Sequence, residues 1–296
     1  MSGAAGIGEA PGVVGVRESA GATVAPDAAT TSDMGKMPCM ARSLVTTEDA
    51  DISSAFSGSG AGKVSDMPDV PGAARAAAMP TLILFTRVPK AGQAKTRLIP
   101  ALGEQGAAEF QWRLLERLLG ELRHGAEQGL WRLRVYYCGT EGLERLRSMA
   151  GEGVVFVEQA DDAGLGVRMR AALERELGAG APAVGLMGSD LPEATTDIVA
   201  EALGLLEDPA VDVSLCPVED GGYWFVGLKR PFPQLFEGTV YGGASVFEDA
   251  LAACAAHGRA VAAGPRLHDV DSPEDLAWFE GWSTGAGAGA RAALAV

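Results

Sequence analysis

Residues 81–98 read TLILFTRVPKAGQAKTRL: a short apolar run, then a turn region that gathers Arg87, Lys90, Lys95 and Arg97 without a single acid. The run has the length and the β-branched and aromatic content of a buried strand. Pro89 and Gly92 punctuate the residues after it, so the strand empties directly into a cationic loop. The chain as a whole carries a formal charge of −15, so this cluster runs against its surroundings. Two readings stand: a solvated loop whose cations balance an acidic surface, or a seat for a polyphosphate. For the second, lysine supplies a compact charge and arginine a planar fork for phosphate oxygens. Gly92 permits a backbone conformation in which amides also face an anion. The loop is not of the Walker type, because it lacks the G-x-x-x-x-G-K-[ST] spacing.

Working outward from this stretch, strand and helix patterns alternate. Phe110, Leu114, Leu115, Leu118 and Leu122 recur at helical spacing and predict a helix over about 101–123. LRVYYC (133–138) predicts a strand, 141–150 a helix and VVFVE (154–158) a strand. Helices are expected over 165–177 and 195–206, with the buried strand AVGLMG (183–188) between them. The run VDVSLCPVEDGGYWFVGL (211–228) holds two strand-like pieces around an acidic, Gly-rich centre. A helix over about 244–256, a short strand near 259–263 and a helix from Pro273 complete the pattern. Such alternation predicts an α/β domain with a mostly parallel sheet flanked by helices.

Residues 1–79 differ in kind. They are rich in Gly, Ala, Ser and Thr, contain Phe56 as their only aromatic residue, and carry nine acids against five bases. A disordered extension is expected there, since so little apolar surface cannot offset the entropy of ordering. Met79, just before the first strand, is an alternative start. The folded domain is expected over 80–282, with a flexible tail over 283–296. Cys39, Cys138, Cys216 and Cys254 are scattered, with no C-x-x-C pair. That points to reduced thiols in a cytoplasmic setting and against a zinc site. No apolar run reaches the roughly 20 residues that span a bilayer, and no secretory signal is visible. An acidic chain is also a poor general binder of nucleic acid.

In a sheet of this kind, ligands bind beyond the carboxyl ends of the strands. The residues just past the strands are therefore the candidates. Beyond the first strand stand Arg87, Lys90, Lys95 and Arg97. Beyond Met187 comes GSDLP with Asp190, and beyond the last short strand comes HDVDSPEDL with Asp269 and Asp271. Asp190 reads either as a metal ligand or as a turn aspartate bonding its own backbone. Asp269 and Asp271 alternate along an extended stretch, so both can face one way. Ser272, Pro273 and Asp275 read as a helix cap with its capping-box acid, which does not require acids at 269 and 271. Three carboxylates beside four cations suit magnesium bound to a nucleotide, since that ion takes carboxylate, water and phosphate oxygens. EDGGY (219–223) is either a plain hairpin turn or a place where Asp220, Gly221 and Gly222 approach a ligand. Arg168 is either a surface charge or a contributor to the cleft on the acceptor side. His268, a lone loop histidine, reads as structural. No histidine-based activation of Ser189 or of a cysteine is visible, so covalent catalysis is not expected.

FTRVPKAGQAKTRL, GSDLP, EDGGYWFVGL and HDVDSPEDL together, in this order and spacing, resemble the glycosyltransferase-like family that includes proteins associated with arsenosugar biosynthesis. That family is related to 2-phospholactate guanylyltransferase and, more distantly, to the molybdenum-cofactor guanylyltransferase. The resemblance spans residues 79–282. It implies a nucleotide-diphospho-sugar transferase fold of the glycosyltransferase A type, Rossmann-like, with a bound nucleotide and a divalent metal, magnesium or manganese. By motif, Lys90, Lys95 and Arg97 would hold phosphates, and Asp190, Asp269 and Asp271 would serve the metal. The EDGGY segment would face the second substrate. Lys95 and Asp190 are then the expected catalytic pair. One departure stands out: where relatives tend to have W-G-T/S, this chain has YGGAS (241–245), with Gly243 at the hydroxyl position. The implied activity is transfer from a nucleotide sugar or a nucleoside triphosphate to a small-molecule acceptor. The alternatives are nucleotidyl transfer to a phosphorylated acceptor and a nucleotide-binding protein without catalysis.

Overall fold

Leu82, Ile83 and Leu84 are consecutive and all fully buried, which a strand achieves only when both of its faces are covered. In this computed structural model, which describes residues 79–160 and 163–284, the run forms β1 (Thr81–Arg87). Leu82 and Leu84 enter one apolar cluster and Ile83 the other. The extension expected over 1–79 lies outside the described residues except for Met79, and the tail expected over 283–296 lies outside them except for 283 and 284, which end the last helix.

The remaining elements come in the predicted order: α1 (Ile99–Glu127), β2 (Arg132–Cys138), α2 (Leu143–Ala150), β3 (Val155–Glu158), α3 (Leu165–Gly178) and β4 (Val184–Met187). Then come α4 (Thr196–Gly204), β5 (Val213–Pro217), β6 (Tyr223–Leu228), α5 (Val246–Ala256), β7 (Val261–Ala263) and α6 (Pro273–Thr284). One cluster joins the sheet to Leu115, Leu118, Leu119 and Leu122 of α1, Leu146 of α2, and Val199, Ala202 and Leu203 of α4. The other joins it to Met169, Ala172 and Leu173 of α3 and Ala250 and Cys254 of α5. The result is a three-layer α/β/α arrangement.

Two departures from the sequence pattern have local causes. The chain enters α1 through a 3-10 turn at Thr96–Leu98, and the helix is broken at Gly103, whose φ of 70° lies outside the helical region. The segment expected as one helix over 195–206 ends as α4 at Gly204 and continues as a 3-10 turn over Leu205–Glu207. Among the described residues, no helix is long and apolar enough to cross a membrane.

The sheet order is β3-β2-β1-β4-β6-β5-β7. All strands share one direction except β6, which pairs antiparallel with both β4 and β5. From β1 the chain builds outward through β2 to β3, then returns to place β4 on the other side of β1. That reversal opens a crevice beyond the carboxyl ends of β1 and β4. Because β6 runs backwards, the β5–β6 hairpin turn falls on that same edge.

Candidate functional site

Two adjoining cavities occupy this edge. The first, of about 570 Å³, is bordered by Arg87, Lys95, Arg97 and Arg168 and by Asp190 and Asp271. The second, of about 280 Å³, is bordered by Asp220, Gly222, Asp269, Tyr223, Tyr241 and Gly243. Asp190, Tyr223 and Trp224 border both, so the cavities meet at the end of β4. The larger lies within the range of roughly 300–1,000 Å³ common for small-molecule sites.

Lys95 is the hinge of the arrangement. Its ammonium lies 3.0 Å from Asp190 Oδ1 and 2.5 Å from Asp271 Oδ1, and its side chain is only 4% exposed. Burial alone would lower its pKa, but the charges of Asp190 and Asp271 and their hydrogen bonds outweigh burial and raise it above the ordinary 10.5. The group is a permanent cation. Its backbone is left-handed, with φ 46° and ψ 50°, and it is the one non-glycine residue with positive φ among those described. A lysine gains nothing locally from that conformation. The strain is offset by the two carboxylate contacts that its ammonium makes.

The carboxylates come from loops that are stitched together. Val270 N donates to Asp190 O at 3.1 Å, and His268 N donates to Glu193 Oε2 at 2.9 Å. Ser272 and Asp275 form the expected reciprocal cap, and Asp275 Oδ2 also accepts from Asp271 N at 3.0 Å. His268 is structural: its Nε2 lies 3.0 Å from Asp275, and its ring stacks on Trp278 at 3.9 Å. Asp271 borders the first cavity and Asp269 the second, so the alternating pair serves both halves. Burial first, then the charges of Asp220 and Asp271, push the Asp269 carboxyl up to about 6.

Not every sequence candidate reaches the cavities. Lys90 turns to the surface and pairs with Glu141 at 2.6 Å. Gly92 takes the φ of 75° expected of it, but a Cβ there would face Glu104, and it borders neither cavity. The Gln93 and Ala94 amides are already used by Lys90 O. Arg168 joins the cations of the first cavity, away from Asp220 and Gly222 in the second.

EDGGY is both things the sequence allowed. It is a hairpin turn, closed by Val218 N to Gly222 O at 3.1 Å and by Asp220 Oδ1 accepting from Gly222 N at 3.0 Å. It also borders the second cavity through Asp220 and Gly222. Gly221 has a different duty. Its φ is 90°, a Cβ would lie 2.0 Å from Ala244 O, and its own carbonyl accepts from Phe247 N at 2.9 Å. Gly221→Ala is therefore expected to destabilise by about 2–4 kcal/mol, combining left-handed strain with a backbone clash. Urea denaturation checks this, and an unchanged midpoint would contradict it.

Three features lie outside the sequence expectations. Gln111 on α1 donates its Nε2 to Asp190 Oδ1 at 2.7 Å and to Ser189 Oγ at 3.2 Å, fixing the carboxylate from behind. Gln159, just beyond β3, holds Arg168. The Tyr223 and Tyr241 hydroxyls lie 3.2 Å apart beside the second cavity, and burial pushes the Tyr223 phenol well above its usual 10.0.

Among the described residues, no group of three or more His, Cys, Asp and Glu side chains is arranged as a ready-made metal cage. The donor chemistry nonetheless fits a hard divalent cation. Magnesium is commonly held by one or two carboxylates, with water and substrate phosphates completing its shell. Asp190, Asp269 and Asp271 offer only oxygen donors of that kind.

The architecture has known counterparts. A family model described as an uncharacterized protein conserved in bacteria (DUF2064) matches residues 121–243. No curated protein matches the chain. A crystal structure from Desulfovibrio desulfuricans G20, provisionally described as a nucleotide-diphospho-sugar transferase, is 29% identical with a TM-score of 0.61. The match covers 70% of this chain and 88% of that one. More distant likenesses include a 4-diphosphocytidyl-2C-methyl-D-erythritol synthase from Anaerococcus prevotii DSM 20548, at 8% identity and TM-score 0.46. It covers 69% of this chain and 96% of that one. Another is a CMP:2-keto-3-deoxy-manno-octonic acid synthetase complexed with CTP, at 10% identity and TM-score 0.45, covering 71% and 100%. The seven-stranded, mostly parallel sheet with its flanking helices is thus a nucleotide-diphospho-sugar transferase-like fold.

Proposed function

We propose that this chain is a transferase that takes a nucleotide-activated donor, either a nucleotide sugar or a nucleoside triphosphate, and passes its activated group to a small-molecule acceptor. The observation that carries this reading is Lys95, a buried permanent cation in a strained backbone, pointed between Asp190 and Asp271 in a cavity also bordered by Arg87, Arg97 and Arg168. Donor phosphates belong in this first cavity, where fixed cations lower the cost of charge developing on the leaving group. The acceptor belongs in the second, against Asp220, Asp269 and the tyrosine pair. Gly243, which lacks the hydroxyl expected by resemblance, borders that cavity beside Tyr241.

A magnesium or manganese ion would be held by Asp190, Asp269 or Asp271 together with the donor's phosphates, and would supply Lewis-acid stabilisation of phosphate charge. The protein's own contributions are distinct. Lys95 bridges Asp190 and Asp271 and offsets part of their negative charge, so that both carboxylates can stand beside a phosphate. Gln111 keeps the Asp190 carboxylate in one orientation. The kinship with the arsenosugar-associated family, and a cytoplasmic setting for the reduced cysteines, belong to the same proposal and rest on the four motifs and on Cys138, Cys216 and Cys254 being free and buried.

Nucleotidyl transfer is the second reading: Arg87, Arg97 and Arg168 border the first cavity in addition to the carboxylate-bound Lys95, and a triphosphate carries more charge for them to meet than a sugar donor. Calorimetry with GTP, CTP, UTP and UDP- or GDP-sugars, with and without magnesium, tests the donor assignment. Micromolar binding of at least one donor is expected. Binding of none would refute both readings. Pyrophosphate release then marks nucleotidyl transfer, and nucleoside diphosphate release marks glycosyl transfer.

A further inference from the structure

Gln159 sits at the first position beyond β3 and is 6% exposed. Its Nε2 donates to Tyr136 O at 2.8 Å and to Thr86 O at 3.1 Å. Both partners are carbonyls, which accept only, so the amide cannot be turned around. Oε1 must therefore face the other way, and it accepts from Arg168 Nη1 at 2.7 Å. The main chain adds a further tie, Gln159 N to Tyr137 O at 2.8 Å. Arg168 is thus fixed by a neutral group anchored to β1 and β2. Its Nε is buried with no hydrogen-bond partner, and among the described residues no carboxylate forms an ion pair with it. Lys95 and Arg134, by contrast, pair with acids, Lys95 with Asp190 and Asp271 and Arg134 with Glu176. Here a neutral amide holds the guanidinium in place, and no acid among the described residues cancels its charge.

We propose that Gln159 is a positioning residue that keeps Arg168 as an un-neutralised hook for a phosphate group in the first cavity. The naming of that phosphate as the donor's rests on the transferase reading; the existence of the anion site does not. Arg168 is half-buried and borders the same cavity as Arg87, Lys95 and Arg97, and a guanidinium held in one orientation is a strong, planar receptor for phosphate oxygens. A carboxylate at position 159 would bind Arg168 more tightly but would cancel the charge the ligand needs. Removing the amide would free Arg168 to take other rotamers.

The test is calorimetric titration of the full chain with inorganic pyrophosphate, then with the best-binding nucleotide. Arg168→Gln is expected to weaken pyrophosphate binding about tenfold or more, and Arg168→Lys nearly as much, because an ammonium lacks the planar fork. Gln159→Leu should weaken it about fivefold, and the Gln159→Leu/Arg168→Gln double variant should bind no worse than Arg168→Gln alone. That non-additivity is what a merely structural glutamine would not produce. Unchanged pyrophosphate affinity in Arg168→Gln, additive losses in the double variant, or no pyrophosphate binding by the wild type would each overturn the proposal. If Gln159→Leu lowers the thermal midpoint strongly, the Arg168→Gln and Arg168→Lys pair still decides whether the hook exists. Pyrophosphate binding that responds as expected, beside a failure to bind any nucleotide, would uphold the anion site and refute the donor reading.

Discussion

Lys95→Ala is expected to lower turnover by about 10²–10³-fold, the usual effect of deleting one preorganised group aimed at developing charge. The thermal midpoint should move by only about 4 °C or less, a shift that corresponds to roughly 1–2 kcal/mol in a domain of this size. The two effects separate because of where exposure lies. The Lys95 side chain is 4% exposed, but the Asp190 and Asp271 side chains it bridges are 37% and 43% exposed. Once the ammonium is gone, both carboxylates can hydrate, so the penalty of a buried, unpaired charge is largely avoided. The backbone supplies an independent check. At φ 46° and ψ 50° glycine is unstrained whereas alanine is not, so Lys95→Gly should be more stable than Lys95→Ala by about 1 kcal/mol while being equally inactive. Comparing the two variants by denaturation and turnover measures this, and activity retained near wild type in either would remove Lys95 from the machinery.

How far such a site can be read from sequence depends on whether each residue leaves a pattern. β1 and β4 announce themselves as apolar runs because both faces are buried, and the rule that ligands gather beyond strand ends then finds Lys95 and Asp190; the same rule applied to the short β7 finds Asp271. The reversed direction of β6 leaves no trace in its composition, since a central strand is apolar whichever way it runs. Loop cations are legible as charge but not as direction: Lys90 and Lys95 look alike in the sequence, yet one pairs with Glu141 at the surface and the other is buried between two acids. The neutral amides escape a search that looks only for charge. Gln111 occupies the buried stripe of α1 defined by Ala107, Leu115, Leu118 and Leu122, and a polar residue on such a stripe signals a buried partner. Gln159 lies just past β3, so the strand-end rule, applied to that strand as to the others, points to it. Arg168 can be placed only once Gln159 is, because its position depends on the amide that holds it.

Asp190→Ala carries the second large effect. It should abolish the magnesium-dependent part of donor binding and lower turnover about 100-fold or more, a loss of several kcal/mol in stabilisation of phosphate charge. The fold should survive for a specific reason. The bond that stitches this loop to the HDVD segment runs from Val270 N to the main-chain oxygen of Asp190, not to its carboxylate. What the substitution strands is Gln111, whose Nε2 loses its 2.7 Å partner but retains Ser189 Oγ at 3.2 Å. Lys95 keeps Asp271, so no buried charge is left alone. The expected signature is therefore a folded protein, with a midpoint close to wild type, whose donor affinity no longer responds to magnesium. Titrating magnesium into wild type and variant at a fixed donor concentration reads this directly. A variant whose affinity still rises with magnesium would take Asp190 out of the cation's shell and leave Asp269 and Asp271 to hold it. The Lys95→Ala/Asp190→Ala double variant sharpens the case. Because the two side chains act as one ion pair on one phosphate site, their losses in turnover should fall well short of additive. Fully additive losses would mean that Lys95 and Asp190 act on separate steps, and that the ion pair between them is incidental to catalysis.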